Sequence, residues 1–110
     1  NPWSQPVVLL AWIDHLLQAT IKHFDSISEE NKKLAADYII MAGNTFIDGL
    51  AYVESEDKET QEYILDLKRE FAEKASYHLT ALAFEKESYN TIKRELDKVH
   101  DELIKELKEK

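Results

Sequence analysis

Apolar positions along this chain recur with a spacing near 3.6 residues, the period that puts side chains on one face of a helix. From Pro6 to about Asp25, the residues Leu9, Trp12, Ile13, Leu16, Leu17, Thr20, Ile21 and Phe24 keep that spacing. Asp14, Gln18, Lys22 and Asp25 take the other side. Residues 1–5 read as an extended lead-in, because Pro2 and Pro6 fix φ and Pro6 suits a first helical turn. The pattern predicts a first helix over 6–25.

A second helix is expected over 27–54. Ser26-Ile27-Ser28-Glu29 has capping-box spacing, with Ser28 as the alternative cap. The expected core face is Leu34, Ala35, Tyr38, Ile39, Met41, Ala42, Thr45, Phe46, Gly49, Leu50 and Val53. Ile40 and Ile47 fall off that face, so the helix is apolar around most of its circumference. Such a helix is central, or another chain covers it. Gly43 and Gly49 each cost about 1 kcal/mol relative to alanine inside a helix. Close approach of a neighbouring helix is the compensation expected.

Ser55 to Glu59 supplies a turn and an acidic first turn for a third helix over 57–88. Its stripe is Ile64, Leu67, Phe71, Ala75, His78 and Leu82. A break is expected around Ser88 to Thr91, with Asn90 as cap, followed by a helix over 90–110. Tyr89, Ile92, Leu96, Val99, Leu103 and Leu107 continue almost in phase with the third stripe. The last segment therefore either folds back as a fourth helix or extends the third. Its narrow seam suits packing on its own bundle, or coiled-coil pairing with a partner copy. The fold class is all-α: an antiparallel bundle of three to four helices forming one domain over 1–110.

Composition narrows this further. No glycine or proline follows Gly49, which disfavours a strand-rich fold with its frequent turns. The net charge is −8, most of it in residues 28–84, and no basic face is present to displace counterions from phosphate. Nucleic acid is disfavoured as a partner. The apolar run from Val7 to Ile13 is far too short to span a bilayer, so no membrane span is expected. The chain has no cysteine, which excludes disulfides and thiolate metal sites and suits a reducing compartment, with the cytoplasm favoured.

Candidate chemistry is sparse. Asp37, Asn44 and Asp48 share one face of the second helix, where oxygen ligands can hold a hard cation. No facing carboxylate motif completes that set, and a solvated helix edge is the reading preferred for it. His15 and His23 stand two turns apart, too far for one metal to bridge. His78 lies on the apolar stripe of the third helix and reads as a core-lining histidine with a hydrogen-bond partner. Arg94 and His100 resemble in spacing the Arg-x₄₋₆-His element of HEPN-type helical ribonucleases, a pair that in that family acts on RNA at a dimer interface. The resemblance covers seven residues with two identities, a spacing that recurs in any charged helix.

No catalytic constellation, phosphate loop or cofactor motif is present. The expected function is therefore a non-enzymatic interaction module that self-associates or docks a protein partner through exposed apolar helix faces. Ile40, Ile47, Tyr52, Leu96, Val99 and Leu103 are the expected contact residues. A metal-binding or hydrolytic bundle using the second-helix carboxylates is the alternative, and carriage of an apolar small ligand is a further one.

Overall fold

The computed structural model describes residues 6–48 and 57–108, with side chains over 8–47 and 57–105. Four helices follow one another: α1 (Pro6–Lys22), α2 (Glu29–Asp48), α3 (Lys58–Ala81) and α4 (Lys86–Lys108). A short 3₁₀ turn, Phe24–Ser26, lies between α1 and α2. Each helix packs on two others, in the ring α1–α2–α3–α4 and back to α1. Residue pairs across the seams run in opposite directions. Tyr63 meets Glu102 and Lys74 meets Glu95 along α3–α4, while Gly43 faces Ala72 and Phe46 lies under Lys68 along α2–α3. The result is an antiparallel four-helix bundle of 46 × 22 × 22 Å.

One core cluster runs through it, built from Leu10, Ile13, Leu17, Ala36, Ile39, Phe46, Ile64, Phe71, Ala75, Leu79, Tyr89, Ile92 and Leu96 with their neighbours. Phe46 and Phe71 meet edge-on at 6.3 Å between ring centres, an arrangement the ring quadrupoles favour.

The helix ends follow local hydrogen bonding. α1 stops at Lys22 rather than Asp25, because the amides of Ser26 and Ile27 both turn back to the His23 carbonyl. Phe24 is carried into the core by that turn. The cap of α2 is Ser28, whose Oγ accepts from the Asn31 amide at 3.1 Å. Ser26 instead donates its hydroxyl to the His23 carbonyl. Asp57 caps α3, accepting from the Glu59 amide and the Thr60 hydroxyl. The expected extension of the second helix to 54, with Gly49, Leu50 and Val53, lies outside the described residues.

The third and fourth helices are separate, and the break falls at Leu82–Glu85 rather than near Asn90. No glycine or proline marks it. Tyr89 fixes it from inside. This side chain is fully buried, and its hydroxyl lies 2.8 Å from both the Lys32 carbonyl of α2 and the Ala83 carbonyl of the turn. One hydroxyl proton serves both acceptors in alternation. Phe24 packs tilted against the ring at 5.7 Å. Burial, with a smaller contribution from Asp37, pushes the Tyr89 phenol up to about 12, so it stays a donor. Asn90, expected as a cap, is an interior residue of α4.

The inward face of α2 is turned relative to expectation. Ala35, Ala36, Ile39, Ala42, Gly43 and Phe46 face the core. Leu34, Tyr38 and Met41 lie outside it, and Ile40 packs partly against it. Small side chains decide this. Alanine and glycine at 35, 36, 42 and 43 let α2 come close to its neighbours, whereas a leucine, a tyrosine and a methionine would hold them off. The expected close approach at Gly43 is present: a methyl there would meet the Ala72 Cα at 3.6 Å and Phe71 at 3.7 Å.

Those distances are ordinary van der Waals contacts, and no glycine among the described residues needs a positive φ. Gly43→Ala is therefore expected to raise stability by about 0.5–1 kcal/mol in chemical denaturation, through helix propensity alone. Tyr89→Phe should lower it by about 1–3 kcal/mol, because the Lys32 carbonyl of α2 and the Ala83 carbonyl of the α3–α4 turn lose their shared donor.

Candidate functional site

An exposed apolar strip lies along the α1–α2 seam. Leu34, Tyr38 and Met41 occupy i, i+4 and i+7 of α2, one face of the helix, and are 49%, 44% and 56% exposed. Beside them a groove of about 360 Å³ is lined by Leu16, Ala19, Thr20 and His23 of the α1 side and by Ile27, Asn31, Leu34, Ala35 and Tyr38 of the α2 side. Its walls are mostly apolar. Ala19 and Ala35 leave the space, since neither reaches across the seam. The Thr20 hydroxyl is turned away from it in function, donating to the Leu16 carbonyl of its own helix at 2.7 Å.

One end of this groove is acidic. Asp25, Glu29 and Glu30 are exposed there and form no ion pair among the described residues. Lys32, by contrast, lies over the Phe24 ring at 4.2 Å, and Lys33 is paired with Asp37 at 2.9 Å.

The contact residues expected from sequence divide sharply. Leu96, Val99 and Leu103 are 1%, 3% and 3% exposed. They form the seam that α4 makes with its own bundle, so they offer no surface to another chain. The narrow α4 stripe is buried internally over its described residues, Tyr89 to Leu103. Ile40 is partly buried against the core and Ile47 is half-buried, while Tyr52 lies outside the described residues. The exposed apolar strip is made instead by three residues assigned to the core. The period was legible and Ala35, Ile39, Ala42 and Phe46 are buried as expected, but the face was centred too far round the helix, because a helix apolar on most sides leaves its inward direction open.

The carboxylate stripe does not gather into a site. Asp37 accepts from Lys33 on the surface, Asn44 is exposed, and the Asp48 side chain lies outside the described region. Among the described residues no three His, Asp or Glu side chains come together to hold a metal ion. His78 sits half-buried in the last turn of α3, its ring edge-on to Tyr77 at 5.1 Å. Arg94 is engaged by Glu87 at 3.1 Å and does not reach toward His100, which lines a separate cavity with Asp14 and Asp97.

Compared with protein-family models, with characterised proteins and with solved structures, the chain matches none. Its function has to be argued from its own surfaces. No helix among the described residues is long and apolar enough to cross a membrane.

Sequence reasoning missed Lys68. It is fully buried on α3, its Nζ makes no hydrogen bond, and the Phe46 ring lies 4.9 Å beneath it. Burial without a counter-charge lowers its pKa to about 8. A signal was present: Lys68 stands four residues after Ile64 and three before Phe71, inside the stripe that faces α2. The cation over the ring recovers only part of the desolvation cost.

An unfolded Lys68 titrates near 10.5 and a folded one near 8, so the unfolded chain binds more protons between those values. Folding stability should therefore rise with pH across that window, by an amount on the order of 3 kcal/mol. Lys68→Met is expected to stabilise the protein at pH 7 and to remove that slope. Denaturation of both proteins between pH 7 and 9.5 checks it.

Proposed function

We propose that this chain is a non-catalytic docking module, and that the α1–α2 groove receives an amphipathic helix from a partner protein. The observation that carries this reading is the exposed strip Leu34, Tyr38 and Met41 beside a groove whose walls are mostly apolar. Apolar side chains spaced by whole turns along an open groove are what a guest helix uses when it presents anchors at i, i+3, i+4 and i+7. Single exposed apolar residues are commonplace, but a contiguous set beside a depression is characteristic of an interaction surface.

Charge chooses among occupants. Unpaired Asp25, Glu29 and Glu30 at one end favour a guest helix with lysine or arginine on its flank. A second copy of this chain, itself at −8, would bring more negative charge to that end. Its α4 seam is already buried and cannot serve as the guest. A heterologous helix fits better than self-association.

The test uses a synthetic Leu-rich helical peptide with lysine flanks, beside a peptide of the same composition with its periodicity scrambled. Fluorescence anisotropy should show saturable binding of the periodic peptide to a monomeric protein. The Leu34→Glu, Met41→Glu double variant should weaken it at least about tenfold, since two apolar anchors at about 1.5–3 kcal/mol each are lost. Equal binding of the scrambled peptide, or none of either, overturns the proposal. So does a stable dimer in light scattering that the same double variant dissociates, because the face would then belong to a second copy.

A further inference from the structure

A second groove, of about 720 Å³, runs along the α1–α4 seam. Its polar wall consists of His15, Gln18 and Lys22 from α1, His23 just beyond it, and Asn90 and Lys93 from α4. No carboxylate lines it, although acidic residues outnumber basic ones 22 to 14 in the chain. The carboxylates that border it are already engaged. Asp14 and Asp97 hold Lys93, Asp14 also accepts from Gln18, and Glu87 holds Arg94 and accepts from the Asn90 amide at 3.4 Å. Asp25 is unpaired but does not line the groove.

Lys93 is thus neutralised from behind and serves mainly as a wall. His15, Lys22 and His23 differ from it, because their side chains form no ion pair or hydrogen bond among the described residues. Lys22 and His23 also stand at the C-terminal end of α1, where the helix dipole favours cations. The Lys22 cation is therefore held in place without an acidic partner. N–H donors from two helices line the groove, and Lys22 adds a positive charge with no acidic partner, on a chain of net charge −8.

The donor chemistry narrows the ligand. No arginine lines the groove, so the planar fork that grips a carboxylate is missing. Lysine, histidine and amide donors approaching from two sides suit a tetrahedral oxyanion, whose oxygens point in several directions. The volume lies within the roughly 300–1,000 Å³ usual for small-molecule sites, and leaves room for an organic body beside the anion. We propose that the α1–α4 groove binds a small phosphate ester through His15, Lys22 and His23, with the Asn90 amide proton not given to Glu87 as a further donor.

Nuclear magnetic resonance titration of the full chain with ribose 5-phosphate, pyrophosphate and citrate tests this. The two phosphates should bind saturably, with shifts centred on residues 15–23 and 90–93, and citrate should bind more weakly. Replacing both groups in a His15→Gln, Lys22→Gln variant should weaken phosphate binding at least roughly tenfold, because two charge-assisted hydrogen bonds are lost. Lys98→Gln removes one positive charge from the exposed face of α4 outside the groove and should leave binding unchanged. Circular dichroism shows whether each variant is folded. No saturable phosphate binding, equal or tighter binding of citrate, or an equal loss in Lys98→Gln overturns the proposal. These substitutions leave Leu34 and Met41 untouched, so the outcome is independent of helix docking.

Discussion

The buried hydroxyl of Tyr89 ties three parts of the chain together. A phenol taken out of water needs an acceptor, and here the acceptors are main-chain carbonyls from α2 and from the α3–α4 turn. Meeting both sets where α3 must stop, how far α4 lies along α2, and how Phe24 closes the end of the bundle. Ile92, Leu96, Val99 and Leu103 then fall on the inward side of α4 by helical period alone. The register of the fourth helix thus rests on one polar contact inside an otherwise apolar end.

That dependence explains what could be read from the residues and what could not. Helical period and the all-α class were legible because they follow from local spacing, whereas the choice between three and four helices stayed open. The α3–α4 break was misplaced by several residues, since no glycine, proline or strong cap announces it. Its cause is a contact with Lys32, 57 residues away in the chain. Asn90 looked like a cap by residue type, but it follows a tyrosine that had to be inside.

The phase of α2 was hidden for a different reason. Leu34, Tyr38 and Met41 are the larger side chains and drew the core assignment. Packing preferred the smaller set around Ala36, Ala42 and Gly43, which allows the backbones to come together. The candidate sites share this history. His15 and His23 were visible as a helix flank, yet only the fold brings Asn90 and Lys93 across from them. Lys68 was overlooked because a lysine is rarely placed inside, although its position in the α3 stripe put it there.

The four seams are not equivalent in how the chain reaches them. Three join helices that are consecutive in sequence, and only α1–α4 links the two outermost helices. That seam is held partly by a bridge from Asp14 to Lys93, both partly buried. α1 forms one wall of both grooves, with Ala19 and His23 shared between them. Partial opening of the native state should therefore begin with α1 lifting away while the α2–α3–α4 hairpins stay paired. In hydrogen exchange, its amides would be the first helical ones to lose protection, and both grooves would dissolve in that single event.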